Sequence, residues 1–225
     1  MADDAARSNA ARKKLYAVQG FRREAAQRLN LDPKMVKDAI DALVVAGIVP
    51  CTLAANAEAL AMDGVWMLLG IGSRVRPDAI ALQSARFASM TLQIDADHPR
   101  SAKGGSRSAT FENELTALFR EIWSPAHEAA FPPVLGVGLH WSDGQGTLLF
   151  GTIDRWERGK PRHRKIFASE PLRLPQAPGG EWDFVHIDES FRLPAVGGIA
   201  FSPLPLIGFI ELLAEGAEGT AASVR

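Results

Sequence analysis

Three stretches of this 225-residue chain carry side chains whose types and spacing could do chemistry. The densest is residues 155–165, RWERGKPRHRK, where Arg155, Arg158, Lys160, Arg162, Arg164 and Lys165 are interleaved with Trp156 and His163 around a Gly-Pro turn. A β-ribbon of that makeup can track a phosphate backbone while an aromatic ring stacks on an unpaired base. Lys and Arg also line edge strands to keep them from pairing with other chains, so the same residues support a purely protective reading. The second stretch, residues 95–109 (DADHPRSAKGGSRSA), brings together Asp95, Asp97 and His98. Carboxylates with an imidazole are metal-ligand types, and a divalent metal activates water for phosphodiester hydrolysis. Lys103-Gly104-Gly105-Ser106-Arg107 follows, a basic glycine turn whose backbone N–H groups could cradle a phosphate. Asp95-x-Asp97 serves equally well to cap a turn. The third is His186-x-Asp188, which alternation places on one strand face, with His140 as a further imidazole.

None of the three matches a motif of fixed spacing. GxxxxGK[ST], HExxH and paired CxxC are absent, and Ser73, Ser106 and Ser142 stand in no GxSxG context. No catalytic set, metal ligand set or cofactor is therefore assigned. Metal-assisted hydrolysis of a phosphorylated substrate, through Asp95, Asp97, His98, His140, His186 and Asp188, is kept as an alternative function. A non-catalytic subunit of a larger assembly is another, with the Pro/Gly-rich stretch 193–209 as a partner surface or a buried connection.

A fourth stretch is informative through its architecture. Residues 8–19 read as a helix, and Gly20 leads into residues 22–49, RREAAQRLNLDPKMVKDAIDALVVAGIV. Ala25, Ala26 and Leu29 form a short apolar stripe. Asn30 tolerates positive φ and ends that helix, and Leu31 is expected to turn back into the core. Asp32 and Pro33 are the N-cap and first residue of a second helix. Val36, Ala39, Ile40 and Leu43 fall at i, i+3, i+4 and i+7, one buried face. Gly47 stops the helix, and Ile48 and Val49 open an extended segment limited by Pro50.

Two helices joined by a short turn and followed by Ala-Gly-Ile-Val resemble the winged helix-turn-helix of bacterial regulators over about residues 13–50, with a wing running on towards residue 70. The resemblance implies that the second helix enters the major groove of duplex DNA, presenting Lys34, Met35, Lys37, Asp38 and Asp41. It also implies phosphate contacts from Arg22, Arg23 and Arg28 on the preceding helix. The chain departs from the family at Asp38 and Asp41, where carboxylates face phosphates, although Asp can accept a hydrogen bond from cytosine N4. It departs again after Cys51, where LAANAEALAMDG replaces the usual basic or glycine-rich hairpin and VWMLLGIG (65–72) is the first strand candidate.

The elements behind these residues read as α+β. An N-terminal winged-helix-like module over residues 1–72 precedes an α+β domain over 73–225, serving ligand sensing, protein interaction or dimerisation. In the second part, 77–91 and about 111–123 are predicted helices, the latter burying Leu115, Leu118, Phe119 and Ile122. Residues 134–174 read as antiparallel β with turns at 142–146 and 158–161, and WDFVHID (182–188) as a further strand. A last helix after Pro205 packs Leu206, Phe209, Ile210 and Leu213. A mostly antiparallel sheet of four or five strands with two or three helices results.

Composition sets the outer limits. With 47% apolar and 23% charged residues the chain has a real core and is not disordered. A single cysteine excludes an intramolecular disulfide framework and fits a reducing compartment. The first residues lack the apolar run of a signal peptide, and no stretch reaches the about 20 apolar residues of a membrane span. A cytoplasmic protein with no membrane partner is expected. The formal net charge of −1 is unevenly spread: residues 1–49 hold nine basic and six acidic residues, and 155–165 hold six and one. Two basic zones in a slightly acidic chain point to local contact with an anion. The expectation is a nucleic-acid-binding regulatory or accessory protein that contacts duplex DNA, alone or as a homodimer.

Overall fold

The computed structural model describes residues 19–50, 57–95, 109–123, 134–142, 148–155, 163–170 and 197–222. It has the α+β class expected: helices dominate the first part, and a five-stranded antiparallel sheet follows. The chain divides into two compact units, each assembled from separated stretches. One is helical, from residues 1–84, 116–129 and 204–225; the other carries the sheet, from 85–115 and 130–203.

In the helical unit, α1 (Gln19–Leu29) ends at Asn30, whose φ is 54°. The N–H of Leu31 donates to Ala26 O at 2.9 Å and that of Asn30 to Gln27 O at 3.2 Å. These paired bonds satisfy carbonyls that the last turn would otherwise leave open. Three residues later α2 (Pro33–Val45) begins with Asp32 as its cap, the carboxylate accepting the Lys34 N–H at 2.8 Å. Proline at the first position loses no bond, because that N–H has no intrahelical acceptor. Val36, Ala39, Ile40 and Leu43 are the buried residues of α2, the four that the periodicity selects. Gly47 closes the helix at φ 70°, with Ile48 N–H on Leu43 O at 3.0 Å and Gly47 N–H on Val44 O at 3.1 Å.

Beyond Gly47 the structure departs from the expectation. Ile48 and Val49 form a bend, not a strand, because their N–H groups fold back onto Leu43 O. VWMLLGIG is not a strand either: it is the second half of α3 (Ala57–Ser73). Val65, Met67, Leu68, Leu69 and Ile71 are all buried, so this half of the helix is apolar around its circumference. A helix buried on every side shows no period that separates it from a buried strand; only its length does. Thus no wing strand exists among the described residues between 33 and 90. Leu31 is half-buried, outside the core.

A Cβ on Gly70 would come within 2.7 Å of Leu43 and 3.4 Å of Ile80, so glycine lets α3 close against both neighbours. Arg74 turns the chain at φ 53°, and α4 (Pro77–Ala88) follows, ending three residues short of the predicted helix. The later half of α5 (Phe111–Trp123) and helix α6 (Pro203–Ala222) complete the unit. Leu118, Phe119, Leu206, Phe209, Ile210 and Leu213 are buried, while Ile122 stays half-buried. Phe119 and Phe209 meet edge to face at 6.5 Å, and Trp123 donates Nε1–H to Ile210 O at 2.9 Å. No helix among the described residues is long and apolar enough to cross a membrane.

The sheet unit orders its strands β1-β4-β3-β2-β5, all antiparallel: β1 (Thr91–Asp95), β2 (Val134–Trp141), β3 (Leu149–Arg155), β4 (His163–Ala168) and β5 (Gly197–Phe201). Strands β2, β3 and β4 occupy the stretch read as β. The edge strands do not follow from the sequence: β1 starts where the helix 77–91 was expected to finish, and β5 lies inside the stretch read as a connection or partner surface. Strand candidate 182–188 lies outside the described residues. One face of the sheet buries Val137, Leu139, Ile153, Phe167, Ile199 and Phe201. Phe111, at the start of α5, packs against Phe167 from that side, with ring centroids 5.1 Å apart and the rings tilted by 49°.

Candidate functional site

Alternation along β3 and β4 fixes what the hairpin of the basic stretch presents. The register pairs Asp154 with Arg164, Ile153 with Lys165 and Arg155 with His163, so Arg164 and Lys165 point to opposite faces. Arg164 grips Asp154 in two bonds, Nε to Oδ1 at 2.6 Å and Nη2 to Oδ2 at 3.0 Å. Asp154 is buried, and a carboxylate taken out of water requires such a partner. Lys165 reaches Glu114 on the first turn of α5 at 2.7 Å, both ends largely shielded. The Nε of Arg155 is buried. These three cations are therefore part of the packing of the sheet unit. Arg158, Lys160 and Arg162, with Trp156, fall outside the described residues.

The same holds for several helical cations. Arg22 and Lys37 both bind Asp41, Lys37 at 3.0 Å to Oδ2 and Arg22 to Oδ1. Burial lowers the Arg22 pKa from its ordinary range, which makes the Asp41 contact the natural resting place of that charge. Arg28 bonds Glu24 one turn back and reaches Glu211 and Glu215 on α6 at 3.8 and 3.4 Å. Its pKa is raised, first by the hydrogen bond to Glu24. The three arginines read as phosphate contacts thus split: Arg22 and Arg28 strap helices together, and Arg23 stays exposed with no ion pair among the described residues.

What remains open on α2 is its first turn. Lys34 is exposed, and its side chain has no ion pair among the described residues. Met35 and Asp38 are half-buried, and together with Lys34 they line a cleft of about 270 Å³ closed by the end of α3 and the start of α4. Arg74, from the left-handed turn between those helices, lines the same cleft, is exposed, and likewise has no ion pair among the described residues. A non-glycine residue at positive φ costs about 1 kcal/mol, so the chain holds an arginine where glycine would sit more easily. Arg76 follows and pairs with Asp78 at the surface, 3.1 Å apart. Nothing in the sequence pattern singles out Arg74, because the backbone conformation that aims it leaves no signal in residue types.

A second, shallower groove of about 510 Å³ runs along the later half of α2, lined by Asp41, Ala42, Val45 and Ala46 and by Pro77, Asp78 and Ala81 of α4. Val45 is 87% exposed there.

On the opposite face of the sheet, His140 lies over the backbone of Gly138 and Gly198, where a Cβ would collide with its ring nitrogens. Its pKa is lowered, first by burial and then by the Arg164 charge, with Asp154 opposing. His186 and Asp188, the residues expected to join it, lie outside the described residues, as do Asp97 and His98; for Asp95 only its backbone place in β1 is described. Among the described residues no group of three or more His, Cys, Asp or Glu side chains is placed to hold a metal ion. Ser142 has a structural task, since its Oγ accepts the Leu148 N–H at 3.1 Å and closes the β2–β3 hairpin. Ser73 caps inward onto Gly70 O at 2.7 Å. No protein-family model matches the chain, and no curated protein or solved structure matches it either.

Proposed function

We propose that this chain is a cytoplasmic nucleic-acid-binding regulatory or accessory protein that contacts duplex DNA through the first turn of α2. The observation that carries this reading is the convergence of Lys34 and Arg74 on one open cleft at the start of that helix, with neither charge spent on an ion pair. Arg74 supplies a cation from the α3–α4 turn, and no wing strand stands there among the described residues. Asp41, the carboxylate that would repel phosphates, is neutralised by Arg22 and Lys37. Asp38 remains as an acceptor that suits a cytosine amino group.

Among the described residues few cations are free, so the contacts counted there are few. A duplex titration between about 50 and 200 mM salt is expected to give a log–log slope of about −2 to −4, since each released counterion contributes about 0.9. Absence of binding at the lowest salt ends this reading.

The groove beside Val45 favours a second one, a protein-contact module in a larger assembly. An exposed valine between two helices is a small apolar patch, and Val45→Asp would abolish assembly without touching Lys34 or Arg74. Light scattering of both forms decides it, since an unchanged mass removes the assembly role.

A further inference from the structure

The cleft at the start of α2 has a composition that a phosphate contact does not use up. Its walls are apolar, formed by Met35, Ile71, Val75 and Ile80, and both signs of charge stand at its mouth. Lys34 and Arg74 provide two cations. Of the two carboxylates, Asp32 is committed to the helix cap, where it accepts the Lys34 N–H. Asp38 has no ion pair or hydrogen bond among the described residues and is half-buried, so it meets the cleft as an open acceptor. A simple anion would satisfy the cations and be repelled by Asp38. A simple cation meets the reverse problem. A small molecule carrying a carboxylate and an ammonium on one carbon, with an apolar remainder, satisfies all three groups and the walls.

We propose that this cleft binds a free α-amino acid with an apolar side chain. The carboxylate lies between Lys34 and Arg74, the ammonium donates to Asp38, and the side chain enters between Met35, Ile71, Val75 and Ile80. The cleft is roomy enough: 270 Å³ is the space of about nine water molecules, which accommodates an amino acid of the size of leucine, isoleucine or methionine. Pockets for small ligands combine apolar walls with a few fixed polar groups in this way. Occupancy would engage Lys34 and Arg74, so it would weaken duplex binding; that consequence rests on the nucleic-acid reading, whereas the site rests on the cleft alone.

Calorimetric titration of the full chain with L-leucine tests the site. Saturable binding with a Kd between about 10 μM and 1 mM is expected for a ligand of this size. 4-Methylpentanoate, which lacks the ammonium, and 3-methylbutylamine, which lacks the carboxylate, should each bind at least about tenfold more weakly, having lost one charge-assisted contact. Arg74→Ala and Lys34→Ala should each weaken leucine by about tenfold and Asp38→Asn by about fivefold, with circular dichroism confirming that these exposed and half-buried positions leave the fold intact. No saturable binding by leucine, isoleucine or methionine overturns the proposal. So does leucine affinity that the three substitutions leave unchanged, or 4-methylpentanoate binding as tightly as leucine. Leucine binding without any duplex binding upholds the site and removes the nucleic-acid function, so the two fail separately.

Discussion

The two basic zones of this chain look alike as sequence and differ in what their charges do. At the root of the β3–β4 hairpin, Arg164 and Lys165 are held by Asp154 and Glu114 in partly shielded pairs. At the start of α2, Lys34 and the neighbouring Arg74 stand open to solvent. A cation bound by a buried carboxylate cannot leave without stranding that carboxylate, whereas an exposed one can exchange water for phosphate at little cost. Local charge density therefore finds both zones, and only the acidic partners tell a strut from a contact.

The largest effect that tests this contrast belongs to Arg164. Arg164→Ala leaves the Asp154 carboxylate buried beside an empty place and should cost about 2 kcal/mol in urea unfolding. Removing both, in an Asp154→Ala, Arg164→Ala chain, should return part of that loss. A change below about 0.5 kcal/mol for the single substitution would show that the pair is a surface contact after all.

Next comes the binding contrast. Arg23→Ala with Lys34→Ala should lower duplex affinity by about tenfold at low salt and flatten the salt slope by about two, while Lys165→Ala should leave the slope as it was. The opposite outcome exchanges the roles of the two zones.

A smaller effect concerns how Lys34 is presented. Asp32→Ala removes the cap that fixes the first turn of α2 and should cost about 1 kcal/mol of stability, read as a lowered Tm.

The smallest effect is a pH dependence of the sheet unit. The His140 pKa lies below its ordinary value of 6.5 in the folded chain, so the unfolded chain takes up the proton first. Stability contributed by the neutral imidazole is complete above that ordinary value and is lost as pH falls through it towards the folded pKa. His140→Gln should flatten the decline in Tm between about pH 7 and 5, whereas an unchanged decline would place the titrating group elsewhere.

Where capping residues punctuate the chain, the fold could be read directly. Asp32-Pro33 and Gly47 bracket α2 to the residue, and the four core positions between them follow from helical spacing. The stretch from Val65 to Ile71 gave no such bracket and no period, because burial on all sides removes the polar residues that would mark one. Strand β5, GGIAF, begins with two glycines and has too little alternation to announce itself; it becomes a strand by pairing with β2. The candidate site was half legible. Lys34 follows from the helix start, but Arg74 depends on a backbone twist at the end of a helix that was misread. Glu24 lies one turn from Arg28 and is legible as a local pair, whereas Asp41 is 19 residues from Arg22 and Glu215 is 187 residues from Arg28, beyond any local pattern.

That last pairing has a consequence for how the molecule comes into being. Arg28, near the beginning, is held by Glu211 and Glu215 on a helix that leaves the ribosome only after the whole sheet has been made. The first helices must wait, with Leu206, Phe209, Ile210 and Leu213 missing from the unit, through the synthesis of some 150 residues at about 5–20 residues per second. Completing the helical unit is thus a late, long-range ring closure. Its nascent form, with apolar flanks waiting for α6, is the stage at which a chaperone or an aggregate would compete for this chain.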